Sequence, residues 1–236
     1  YARDLVPDAK LFWRIAKIGI PNVFEGLSMW SANLFVLQFI GQVAAKMAME
    51  VDEDQPVIQG LQGAHVIGVQ WEAFSFLPGF AIGVAAGTLA GQYLGAGNEK
   101  QARKAVMACV LLAVLFMGTL GLIMMFAGNT LTGIISDEPM HLALVPKLLF
   151  IAGMTQAGFA VMMVIRQALK GVGDTTWTFG ITTLSSWGIR LPVAWYLGVH
   201  LDMGLVGIWY ALCGEMVIRS LLFFIRFRFG KWAKAI

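Results

Sequence analysis

Apolar residues run along this chain in six blocks, at about 18–42, 61–96, 105–127, 142–168, 177–198 and 204–225, with short polar segments between them. A helix of about 20 apolar residues crosses a bilayer, so the pattern predicts an all-α membrane protein, a bundle of six transmembrane helices. The polar segments punctuate it. Residues 43–60 read as a loop with Glu50, Asp52, Glu53 and Asp54 against Lys46. GNEKQARKA (97–105) turns the chain, and GNTLTGIISDEP (128–139) predicts a short surface helix and a turn, with Asp137 or Glu138 near the next cap. In GVGDT (171–175) glycines end one helix and Asp174 is placed to cap the next. Residues 1–17, with Asp8 as a cap and Lys10, Arg14 and Lys17 on one face, form an interfacial lead-in. Residues 18–229 are then the six-helix lobe and 230–236 a tail.

The second block organises the rest. Glycine recurs at every fourth position, Gly79, Gly83, Gly87, Gly91 and Gly95. That spacing makes a slowly turning ridge without side chains, against which another helix can pack closely in lipid. Pro78 interrupts the run and predicts a bend, because it lacks a backbone donor. Between Gln70 and Gln92 the single charged residue is Glu72. The ridge alone needs nothing beyond helix packing; Glu72 and Pro78 give the helix its functional interest.

Composition agrees with a membrane setting: 58% of residues are hydrophobic and 13% charged, against about 25% charged in soluble domains. The chain starts at Tyr1 without a signal-peptide pattern and is expected to begin inside a longer reading frame. Cys109 and Cys213 fall in apolar blocks, which argues against a disulfide or metal framework. With the N-terminus placed in the cytoplasm, the basic residues at 10–17, 100–104, 166–170 and 226–234 share one side. The acidic 50–54 segment, Asp137, Glu138 and Asp202 share the other, leaving Lys46 and Lys147 as exceptions. The positive-inside rule therefore predicts a multi-pass protein of the inner (plasma) membrane with both termini cytoplasmic. Trp13, Trp177 and Trp232 read as an inner aromatic belt, Trp195 and Trp209 as an outer one.

The order GIP (19–21), GAHVIGVQWEAFSFLPG (63–79), GQYLGAGNEKQARKA (91–105), QALKGVGDTTW (167–177) and RLP (190–192) resembles one half of a transporter of the MATE (multidrug and toxic compound extrusion) family. The resemblance covers all six blocks, and RLP with the basic tail points to the C-terminal lobe. It implies export of drug-like, often cationic, organic compounds in exchange for Na+ or H+, without an organic cofactor. The implied partners are membrane lipid and an N-terminal six-helix lobe, fused or separate. In the family, acidic residues on the first and fourth helices of this lobe form a cation site. Here the first block has Glu25, close to Pro21, and the fourth has no acid between 139 and 173, with Phe159 near the expected position. That sodium site is not carried over, and Glu72 or the other lobe becomes the expected seat of coupling.

Each intramembrane charge needs a reason, since it costs at least about 2.5–3.5 kcal/mol at mid-bilayer. Glu72 sits deep, and a carboxylate that can be neutral or charged suits proton coupling or cation binding; a hydrogen bond from Gln70, Ser75 or a neighbouring helix is the structural alternative. Glu25, beside Asn22 and Ser28, reads first as a cap or structural hydrogen-bonding group and second as a coupling candidate. Glu215 and Arg219 are four apart, and Arg190 lies at a similar depth, so the three predict a structural ion cluster. Trp30, Phe35, Phe74, Phe76 and Trp187 are candidates for a wall on which an organic cation stacks, or for ordinary packing. GVGD also matches a Gly-x-Gly-Asp protease signature, but no second aspartate lies in an apolar block to share a proton, so an enzyme is not expected. No nucleic-acid module is present. Two alternatives remain: a flippase-like exporter of lipid-linked saccharides, which needs a basic cavity, and a six-helix module that transports nothing without a partner lobe.

Overall fold

The structure, a computed structural model, describes residues 9–51, 54–230 and 232–234. The first two helices are α1 (Ala9–Val51) and α2 (Asp54–Gly95), followed by α3 (Glu99–Phe126), the short α4 (Gly128–Ile135) and α5 (Pro139–Gly171). Next come α6 (Thr175–Ser185), a π-helical turn (Ser186–Arg190), α7 (Leu191–Trp195) and a second π-helical turn (Tyr196–His200). The series ends with α8 (Gly204–Phe229) and a 3-10 turn at Trp232–Lys234. No strand occurs among the described residues. Helices α1, α2, α3, α5 and α8 are each long and apolar enough to cross a membrane. The remaining crossing, 175–200, is assembled from α6, α7 and the two π turns laid end to end. Leu191 N–H reaches back five residues to Ser186 O, one residue before Pro192, which has no donor of its own.

Segment 43–60 departs from its predicted loop. Helix α1 continues to Val51 and α2 already starts at Asp54. The run Ala44 to Glu50 (AAKMAME) favours helix, and Pro56 falls in the first turn of α2, where a missing N–H costs little. Each of the two helices is therefore about 60–65 Å long, twice the hydrocarbon thickness. Asp52, Glu53, the proposed cap Asp8 and the rest of 1–8 lie outside the described residues, as do 231 and 235–236. Lys10 to Lys17 belong to α1 without a break. Helices α2 and α5 end with Gly97 and Gly173 at φ +73° and +83°, where a residue with a Cβ would be strained.

Helix α5 is the axis of the bundle. It packs on α2, α3 and α8, and on two of these neighbours it meets backbone directly. A Cβ on Gly171 would lie 2.5 Å from Gly87 O, and one on Gly121 would lie 2.7 Å from Gly153 O. Gly83 faces Gln167 and Gly91 faces Gly171 O; Gly79 meets Met117 of α3, and Gly95 faces open space. Helix α2 runs unbroken through Pro78.

The apolar interior is split in two. One cluster, with Ile40, Leu61, Leu148, Ile208 and Trp209, fills the half nearer the α1–α2 connection. The other, with Met117, Met163, Leu169, Phe223 and Phe227, fills the half nearer the α2–α3 turn. On α2, α5 and α8 the residues between the two clusters are polar: Ser75, Gln156, Glu215 and Arg219, all buried.

Candidate functional site

Three carboxylates stand inside the spans, and each has different company. Glu25 of α1 is fully buried. Arg166 Nε reaches its Oε1 at 2.6 Å and Lys170 Nζ its Oε2 at 2.9 Å, both from α5. Thr182 and Thr178 of α6 donate to it at 3.1 and 3.4 Å. The two basic residues are four apart and the two threonines are four apart, so each pair presents one helix face to Glu25. Among the described residues neither Asn22 nor Ser28 bonds it: Asn22 donates to Ile18 O, and Ser28 accepts from the Trp187 indole. The side chain is an ionic junction of three helices rather than a cap. Arg166 and Lys170 were legible as basic residues at a span end; that they reach back to Glu25 was not. The first and fourth crossing helices do meet through a charge cluster, but α5 brings cations to it. Phe159 is buried against Phe76, with ring centroids 6.2 Å apart.

Glu215 of α8 is buried between two arginines. Arg219 Nη2 lies 2.7 Å from Oε1 and Arg190 Nη2 lies 3.0 Å from Oε2. The spare donors are also occupied: Arg219 donates to Ser186 Oγ at 2.8 Å and Arg190 to Asn33 Oδ1 at 3.3 Å. The network ties α8 to the 175–200 crossing and to α1. A buried charge held this way is tolerable because both arginines share the Glu215 carboxylate and each donates to a further side-chain oxygen. Asn33 and Ser186 escaped the sequence reading; each is a lone small polar residue within an apolar block, the one signal that marked it.

Glu72 of α2 is half-buried, and no hydrogen bond or ion pair reaches its carboxylate among the described residues. Arg190 is the positive charge that acts on it. Gln70 is exposed, and the Ser75 hydroxyl donates instead to Gln156 Oε1 at 2.8 Å. Glu72 opens on a cavity of about 30 Å³ between α2 and α8, walled by His65 and Val69 from α2 and by Trp209, Leu212, Cys213 and Met216 from α8. Trp209 Nε1 donates to His65 Nδ1 at 3.1 Å. With Arg190, Arg219, Glu215 and Glu72, the polar layer at mid-depth holds two positive and two negative groups.

The aromatic candidates do not converge on one wall. Phe35 and Trp187 form an edge-on pair, with centroids 5.5 Å apart, on the exposed side of α1 and the first π turn. Trp30 and Phe74 are exposed, the latter beside Trp71. Phe76 stacks on Phe80 and faces the interior. Of the expected belt, Trp13, Trp177 and Trp195 are exposed, whereas Trp209 and Trp232 are buried. Trp209 is buried because its indole serves His65. Trp232 stacks on Phe227 and donates to its carbonyl at 2.7 Å. The segment expected as a tail thus packs on α8 through Trp232, and Arg103 lies over the Trp232 ring at 4.9 Å.

Both ends of the bundle carry ionic fasteners. Asp174 stands at the N-terminus of α6 but does not cap it; Arg226 takes its carboxylate in two bonds of 2.9 and 3.1 Å. At the other end Lys46 pairs with Asp202, which has φ +54°.

Residues 62–196, more than half the chain, match the MatE family. The chain belongs to that family. A relative within reach of sequence comparison is the probable multidrug resistance protein NorM of Thermotoga maritima, 34% identical over 93% of this chain and 44% of that protein. Another is the uncharacterized transporter YisQ of Bacillus subtilis, 26% identical over 93% of this chain and 45% of that protein. Among solved structures, MATE in the straight conformation superposes with a TM-score of 0.80 at 16% identity, covering 97% of this chain and 48% of that one. The MatE fold is therefore present as a helical membrane lobe, and the chain spans about half the length of the relatives it matches.

Proposed function

We propose that this lobe is half of a secondary active antiporter that exports drug-like, often cationic, organic compounds by alternating access, rocking against a second six-helix lobe. The coupling ion is H+ or Na+, and Glu72 is the residue that carries it. One observation bears the most weight: a carboxylate at mid-depth that lacks a direct partner and stands beside a fully bonded Arg190–Glu215–Arg219 network. Among the described residues Glu25 and Glu215 are already neutralised at bonding distance, which leaves Glu72 free to exchange a cation or proton for a substrate. The names of the curated relatives support the multidrug reading. The basic residues gathered at the α2–α3 turn and at the ends of α5 and α8 support cytoplasmic termini in the plasma membrane.

A saccharide-lipid flippase draws less support, because the two deep arginines are spent on Glu215 and leave no basic cavity for a pyrophosphate. The decisive experiment is efflux of a fluorescent organic cation by the intact transporter with Glu72→Gln. Background-level efflux at normal expression is expected, and wild-type efflux would remove Glu72 from the mechanism.

A further inference from the structure

We infer that the Glu72 pocket is a proton site that rejects sodium, and that the bond from Trp209 to His65 helps to set this selectivity. The inference rests on the reading of Glu72 as the coupling residue and narrows it to one ion.

Sodium is a hard cation and needs several oxygen ligands around it. The walls of the cavity offer one oxygen-bearing side chain, Glu72 itself. The remainder are two sulfur side chains, Cys213 and Met216, two aliphatic ones, an indole and an imidazole. The indole is a donor only. Because Trp209 donates to Nδ1 of His65, the neutral ring carries its hydrogen on Nε2. Its one lone pair is therefore engaged, and its free edge presents a donor, which suits a carboxylate and repels a metal cation. The cavity, about 30 Å³, has room for about one water.

Backbone oxygens do not make up the deficit. Helices α2 and α8 are continuous on both sides of the cavity, so their carbonyls are engaged in helical bonds. Pro78 releases one of them, that of Phe74, but residue 74 lies about 200° round the helix from Glu72, and its ring is exposed. The Thr155 hydroxyl, beside Cys213, donates to Ala152 O, and two other nearby side-chain oxygens are committed. Gln156 Oε1 accepts from Ser75, and Glu215 is held by its arginines.

The charged and titratable groups around Glu72 come from three elements. The 175–200 crossing contributes Arg190; α8 contributes Cys213, Glu215 and Arg219; α2 itself contributes His65. Helix α5 has no titratable side chain between Lys147 and Arg166, and α1 contributes only the amide of Asn33 at this level. A bound proton and a bound sodium ion each add one positive charge to this layer, so the choice between them falls to the available ligands. A proton needs no ligand beyond the carboxylate, whereas sodium needs several oxygens.

The test uses the intact transporter in weak buffer, with sodium chloride as the probe and released protons as the readout. Wild-type protein is expected to release none when sodium is added, and a pH gradient is expected to drive ethidium out of proteoliposomes where a sodium gradient does not. Release of a proton on sodium addition that disappears in Glu72→Gln overturns the inference while leaving Glu72 as the coupling residue. Wild-type transport by Glu72→Gln overturns the parent reading instead. The wild-type sodium measurement needs no variant, so it stands even if a substitution spoils folding.

Discussion

Glu25 and Glu72 occupy neighbouring helices, and the protein treats them in opposite ways. Glu25 is wrapped by two cations and two hydroxyls from α5 and α6. Glu72 has a small cavity before it and, among the described residues, no group bonded to it. A carboxylate whose every lone pair is engaged stabilises the packing of its helices and resists exchange. One without partners adds little to stability and can respond to an incoming ion. The difference separates the part of the lobe that must stay together from the part that can work.

Several measurements can break or sharpen that contrast. The largest effect is expected from Glu72→Gln, which should bring efflux down to background while changing stability by about 0.5 kcal/mol or less; a thermal melt in detergent alongside the transport assay checks both halves. Glu25→Ala should behave the other way, with a loss of about 3–5 kcal/mol because Arg166 and Lys170 are left buried without a countercharge. Residual efflux per folded molecule should survive that change, and a melt unchanged from wild type would contradict the assignment. Pro78→Ala restores one helical hydrogen bond, about 1 kcal/mol, and if the bond must be absent in one working state turnover should fall about fivefold; a wild-type rate would argue against a hinge there. The smallest effect belongs to Lys46→Ala. Its bond to Asp202 is exposed on both sides, and such pairs contribute about 0–1 kcal/mol, so melts in low and high salt should nearly coincide with wild type.

The six crossings were legible because hydropathy reports depth directly, and Glu72 was legible because it is a charge in an otherwise apolar block. What stayed hidden depended on contacts between distant segments. Glu25 looked like a local cap because Arg166 and Lys170 lie 141 and 145 positions away in sequence, and nothing in a linear pattern links them. Asp174 satisfied every local rule for a cap, yet a guanidinium at Arg226 competes better for its oxygens than backbone amides do. Trp209 and Trp232 sit at the right positions for membrane anchors; a hydrogen bond to His65 and a stack on Phe227 draw them inside. The difference at 43–60 has another origin: the acidic run reads as a break, although the residues before it favour helix.

The contact of α5 with α2 at Gly171 and Gly87 leaves main chain against main chain, with no rotamers to absorb a push. A load applied to one helix at that crossing passes to the other without slack, as a shift of the whole rod. Whatever tilts α2 from its far end must therefore carry the axis of the lobe along with it.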